Sequence, residues 1–284
     1  MGKFQKAFPD STIDVGVAES NMVSVAAGFS KNGHIAVVDT FAQFGITKGN
    51  LPLIMANLSS APIIAIYSHT GYQDAADGAS HQATTYFSAV SSIPNTTVIC
   101  LSNSSQANEI IMKEIKKFHE IKQRGETPNS IVFFLGRENF PQSYEQSLHD
   151  NQVISDYGQD ALIVCCGPMV KEALEAKTLL EADNIQVTIF ENAYINNPDI
   201  SKVAELLEKS NSKLITVEDH QITAGMGSML THQLLREGKT FNYLGLGINN
   251  SFGRSAHKAA HLYENMELSA KRIAKNVKNF INPR

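Results

Sequence analysis

The chain has 284 residues, 43% of them hydrophobic and 18% charged, and 24 Lys and Arg stand against 28 Asp and Glu for a net charge of −4. That balance, with no dense Lys/Arg block, excludes a broad nucleic-acid surface. Three cysteines, two of them adjacent (Cys165, Cys166), make neither a disulfide framework nor a zinc spacing. The N-terminus lacks the apolar segment of a signal peptide, and no apolar run approaches the roughly eighteen residues of a membrane span, so a soluble, cytoplasmic protein is expected.

Short apolar runs alternate with helical patterns along the chain. Strands are expected at 12–17, 35–38, 63–67, 97–101, 131–135, 161–165, 186–190 and 213–218. Several are apolar nearly throughout, as in parallel strands covered on both faces. Helices are expected at 20–30, with Met22, Val25, Ala26 and Phe29 inward, and at 107–117, with Ile110, Ile111, Met112 and Ile115 inward. Further helices fall at 169–182, 201–209 and 268–281; the last is basic and amphipathic, its lysines reading as a solvated face. The alternation predicts an α/β fold of two domains, each a mostly parallel sheet flanked by helices. The polar stretch 139–160 reads as an interdomain linker, which places the domains at 1–148 and 149–284.

Four segments carry candidate chemistry. Glu19 stands where the expected strand 12–17 turns into a helix, at the kind of strand end where α/β sheets bind ligands. A carboxylate there equally favours the helix dipole. Phe41 and Phe44 follow the strand 35–38 and either close the core or wall a planar ligand. The loop after strand 63–67 holds His69, Asp74, Asp77 and His81 within fourteen residues. These suit a polyhydroxylated substrate and proton transfer near neutral pH, and their spacing matches no common metal motif. Arg137 ends the strand 131–135, where it pairs with a carboxylate or a phosphate. His257 and His261 read as solvated helix residues, and Cys165 and Cys166 as core thiols. Glu218, Asp219 and His220 are adjacent on a strand and point to alternate faces, so they form no catalytic triad; a structural or subunit-interface role is expected.

In this order, GVAESNM, TFAQF, HTGYQDAADGASHQ and RENFP resemble the pyrimidine-binding domain of transketolases. That family's pattern runs Gly-Ile-Ala-Glu-Gln-Asn-Met, Thr-Phe-Ala-x-Phe, a His followed by Asp-Gly-x-x-His-Gln, and Arg-x-x-x-Pro. The later VCCGPMVKEALEA, Val217-Glu218-Asp219-His220 and Gly225-Met226-Gly227-Ser228 resemble the family's C-terminal domain. The resemblance implies thiamine diphosphate and Mg²⁺ as cofactors. Glu19 would hydrogen-bond the aminopyrimidine and favour the tautomer that deprotonates the thiazolium C2. Phe44 would pack on the pyrimidine with Phe41 behind it. His69, Asp77 and His81 would contact the hydroxyls and carbonyl of a ketose donor and help its proton transfers, and Arg137 would contact its phosphate.

The Gly-Asp-Gly…Asn motif that holds Mg²⁺ and the diphosphate in this family has no counterpart here. The resemblance is therefore to the C-terminal subunit of a split transketolase, which moves a two-carbon unit from a ketose to an aldose. It would act only with a partner carrying the diphosphate domain, as a heterotetramer. The pyrimidine domain starts a strand and loop later than the family pattern. Ala75-Ala76 replaces the usual Gly-Glu, and Gly45-Ile46-Thr47-Lys48 lacks the usual aromatic or arginine near Thr47. These departures keep a modified donor (sulfonated, branched or deoxy) open beside a sugar phosphate. Three other readings stand: a deoxyxylulose-phosphate synthase-like fragment, which would accept pyruvate; a 2-oxo acid dehydrogenase β-type subunit, whose His-Ser-Gln-Ser pattern DGASHQ does not match; and a catalytically silent interaction protein.

Overall fold

Parallel strands buried on both faces need helices above and below, and the apolar runs of this chain obtain them in two successive α/β layers. The structure, a computed structural model, describes residues 2–138, 140–155 and 157–283. The first layer comprises α1 (Gly2–Ala7), α2 (Glu19–Lys31), β1 (Val37–Phe41), α3 (Ala42–Lys48), α4 (Asn50–Leu58), β2 (Ile64–Ser68), α5 (Tyr86–Val90), β3 (Thr96–Leu101), α6 (Ser104–Gln123) and β4 (Ser130–Leu135). The second comprises β5 (Ser147–His149), β6 (Gln152–Ile154), β7 (Ala161–Cys165), α7 (Met169–Glu181), β8 (Val187–Glu191), α8 (Ile200–Glu208), β9 (Lys213–Gln221), α9 (Met226–Arg236), β10 (Asn242–Ile248), α10 (Ala259–Asn265) and α11 (Ala270–Ile281). A four-stranded parallel sheet runs β1-β2-β4-β3, and a six-stranded sheet runs β10-β9-β7-β8-β6-β5, antiparallel only at β6 and β5.

Tyr67, Tyr86, Phe87 and Phe134 are fully buried around the first sheet, and Ile163, Ile189, Ile215 and Val217 around the second. Each such aliphatic or phenylalanine side chain contributes about 1.5–3 kcal/mol of transfer free energy. Side-chain caps start three of the helices: Asn103 accepts from the Gln106 amide, Asp199 from that of Lys202 and Ser269 from that of Arg272. The second layer also closes one edge of the first sheet. Ile195 N donates to Val98 O at 2.9 Å, Cys100 N to Ala193 O at 2.9 Å, and Val98 N to the Asn196 side chain at 3.0 Å. That covers the otherwise open backbone of β3.

Several sequence expectations change. The strand expected at 12–17 does not form. A short 3₁₀ turn, Pro9–Ser11, precedes an extended segment that makes no ladder, with Val17 98% and Ile13 60% exposed. Asp10, Ser11, Thr12, Ile13 and Val15 instead border a cleft of about 380 Å³ with Met22, Val25, Phe29 and Val37. The buried face of α2 is accordingly Val23, Ala26 and Ser30, the last held by its hydroxyl on Pro62 O at 2.6 Å. On α6 the buried face is Gln106, Ile110, Glu114 and Phe118, while Met112 is 60% exposed. Two polar residues on that face find partners: Glu114 accepts from the Tyr194 hydroxyl and Gln106 from the Ser102 amide. The stretch read as a linker, which includes Asn139 and Asp156 outside the described residues, contains the hairpin β5–β6. Asp150 and Asn151 turn it with φ of 45° and 63°. β10, with glycines at 245 and 247, was also not expected.

Glu191 ends β8 inside this second layer and accepts from the Val153 amide at 2.8 Å. Burial pushes its carboxyl up to about 7 from 4.5. The folded state therefore holds a proton that the unfolded chain releases, and stability present below pH 4.5 is lost as pH rises toward 7. Glu191→Gln is expected to be more stable than the parent by up to about 3 kcal/mol at pH 8 and indistinguishable from it near pH 4. Urea unfolding across that range checks it; a difference that does not grow with pH contradicts the assignment.

Candidate active site

β1, β2 and β4 lie side by side, and the residues that follow their carboxyl ends gather on one rim of the sheet. Phe41 closes β1, His69 follows β2 and Arg137 follows β4. His69 adopts a left-handed backbone with φ 62°, an uncommon conformation for a residue with a side chain. The Phe41 and His69 rings stack at 3.8 Å, and the Ser68 hydroxyl lies 2.7 Å from His69 Nδ1. Burial, then the charge of Arg137, push His69 down to about 4, so its imidazole is neutral at pH 7.

Phe44, one turn into α3, stacks near Phe41 at 6.3 Å and meets His81 edge-on at 5.1 Å. The Ser80 hydroxyl sits 3.0 Å from His81 Nδ1. Arg137 Nη1 donates to Asp74 Oδ1 at 2.6 Å and lies 3.9 Å from Asp77 Oδ2. The structure thus brings Phe41, Phe44, His69, His81, Asp77 and Arg137 into one continuous group. Glu19 joins it from the N-terminus of α2, because Glu19 and Phe44 border the same open hollow of about 520 Å³, with Val17, Asn21 and Lys48. The Glu19 carboxylate makes no hydrogen bond among the described residues.

The second layer holds the histidine loop in place. Gln82 donates to Arg254 O at 2.9 Å, Ala256 N to Ala75 O at 2.9 Å, and Gly78 packs on Ser255. Deeper in the interface, Asp219 Oδ1 and Oδ2 accept from the hydroxyls of Tyr86 at 2.9 Å and Tyr263 at 3.0 Å. Burial pushes Asp219 up to about 6, against the lowering effect of those two donors. Glu218 accepts the first amides of α9, Met226 N at 2.6 Å and Gly227 N at 3.0 Å, and His220 packs against Phe87. The three adjacent residues therefore each take a different structural partner. Cys165 and Cys166 are buried free thiols, pushed up by burial.

No local pattern marks Gln73, Tyr86 or Tyr263 as part of the site, and Asp74 reads only as part of a polar loop. Their partners lie far away in sequence; the signal available was a run of three ionisable residues, Glu218 to His220, inside an apolar strand.

Residues 1–142 match the family model "Transketolase, pyrimidine binding domain", and residues 150–273 match "Transketolase, C-terminal domain". The chain belongs to the transketolase family. It is 30% identical over 277 residues to a protein of Methanocaldococcus jannaschii described as "Putative transketolase C-terminal section", covering 96% of this chain and 84% of that one. A 1-deoxy-D-xylulose-5-phosphate synthase of Synechococcus is 26% identical over 98% of this chain, which spans only 42% of that relative. Among solved structures, one titled "Split gene transketolase, inactive beta4 tetramer" superposes with a TM-score of 0.79 at 26% identity, covering 98% of this chain and 86% of that one.

The half-site suits the cofactor that the family resemblance implies. Glu19 offers an unused acceptor and Phe44 an aromatic wall on one hollow. Among the described residues, no group of three or more His, Cys, Asp or Glu converges to hold a metal ion.

Proposed function

We propose that this chain is the C-terminal subunit of a split transketolase, working in the cytoplasm with a partner that brings the Mg²⁺- and diphosphate-holding domain. The supporting observation is the shared hollow of Glu19 and Phe44, joined through His81, Phe41 and His69 to a rim of polar side chains. Thiamine diphosphate, when bound, supplies the carbon nucleophile that accepts and releases a two-carbon unit. Glu19 holds a proton at the pyrimidine ring nitrogen, and Phe44 walls the ring. Phe41 fixes the His69 imidazole, whose neutral form exchanges hydrogen bonds with substrate oxygens. His81 and Asp77 orient the ketose hydroxyls, and the buried second-layer contacts keep their loop from swinging into solvent.

The likeness to 1-deoxy-D-xylulose-5-phosphate synthases over nearly the whole chain supports a second reading, with pyruvate as donor. One assay separates the two. Mixed with its partner, thiamine diphosphate and Mg²⁺, the chain is expected to move a two-carbon unit from a ketose to an aldose, and neither subunit alone does so. Consumption of pyruvate without ketose cleavage contradicts the first reading and supports the second.

A further inference from the structure

The end of β4 presents the Arg137 guanidinium and two successive backbone amides, an anion-binding donor set that is already partly engaged. The Arg137 guanidinium is paired with Asp74, a carboxylate with no exposed side-chain surface, and lies 3.9 Å from Asp77. The backbone amides of Arg137 and Glu138 are successive, the arrangement that makes an anion-binding nest. Both instead donate to one acceptor, the amide oxygen of Gln73, at 3.1 and 2.6 Å. Gln73 is itself buried and donates to the Tyr263 hydroxyl at 2.8 Å, so its oxygen cannot turn away without breaking that bond. Glu138, the next residue, is fixed on the Ala259 amide at 2.8 Å. An arriving phosphate dianion would therefore meet two carboxylates for one guanidinium, with neither the Arg137 nor the Glu138 amide free to receive it. Hydroxyl groups meet no such repulsion: Asp77 is half-exposed and accepts from them, and the remaining N–H groups of Arg137 donate to them.

Resting on the transketolase reading above, we infer that the sugar end recognised at this rim is uncharged, an unphosphorylated polyhydroxy ketose, and that Asp74 is the specificity-determining residue that neutralises Arg137. In the complex with the partner subunit, thiamine diphosphate and Mg²⁺, kcat/KM is compared for fructose and fructose 6-phosphate and for xylulose and its 5-phosphate. The phosphate is expected to bring no advantage, and Asp74→Asn to shift the ratio toward the phosphorylated sugar by about tenfold or more. An unchanged protein that prefers the phosphorylated donor by about a hundredfold overturns the inference. A second measurement needs no turnover. In the full chain, the ¹⁵N resonance of the Arg137 guanidinium is titrated with inorganic phosphate. No saturable shift is expected in the parent, and one is expected in Asp74→Asn; a saturable shift in the parent overturns the inference. If the complex cleaves neither sugar, the transketolase reading falls, while the phosphate titration still decides the claim about Arg137.

Discussion

Glu19→Gln is expected to lower turnover of the proposed two-subunit complex by about 100-fold or more while folding and assembly persist. Glu19 does little for the isolated chain. It is the first residue of α2, half-exposed, and hydrogen-bonds nothing among the described residues. Its charge favours the helix N-terminus by about 0.3–1 kcal/mol. Glutamine keeps the shape and loses the ability to hold and return a proton. A purely capping role predicts a small loss of thermal stability and an unchanged rate. The cofactor role predicts the reverse, so measuring Tm and kcat on one preparation separates them. A substituted complex with near-normal turnover contradicts the assignment.

Gly71→Ala is expected to destabilise the protein by about 3 kcal/mol and to remove activity with it. Gly71 follows His69 and Thr70, has a φ of 55°, and lies where the histidine loop meets the second layer. A Cβ there would sit 2.0 Å from Asp219 Oδ2 and 2.6 Å from its backbone oxygen. Neither can retreat cheaply, because the carboxylate is held by Tyr86 and Tyr263 and the backbone belongs to β9. The positive φ adds strain of its own for a residue with a side chain. Relief requires the loop to lift, which carries His69 away from Phe41. Gly28 is the control: it lies in α2, and nothing stands within 4 Å of an added Cβ. Gly28→Ala is expected to leave urea unfolding at or above the parent's midpoint. A Gly71→Ala protein as stable as the parent contradicts the account of the interface.

The central strands were legible because each is an apolar run buried on both faces, as at 63–67 and 161–165. The segment 12–17 shows the limit of that signal. Its Ile13, Val15 and Val17 carry strand propensity, yet no neighbouring strand pairs with them, and pairing is a tertiary property. The hairpin β5–β6 fails to register for a different reason: three-residue strands are too short to show a period. The placement of His69 and Arg137 just beyond strands, and of Glu19 at the start of a helix, was legible from the sequence. The contacts that hold the site together were not. Gln73 meets Tyr263 across 190 residues, Tyr86 meets Asp219 across 133, and Arg137 meets Asp74 across 63. No local pattern encodes such pairings, and the Arg137–Asp74 pair changes what Arg137 can bind.

Native mass spectrometry of the chain purified from its own source, with thiamine diphosphate and Mg²⁺ present, tests the central claim most directly. The account predicts a stoichiometric partner carrying Gly-Asp-Gly…Asn, with cofactor retained in the complex. The chain running by itself under those conditions, with neither partner nor cofactor, contradicts it.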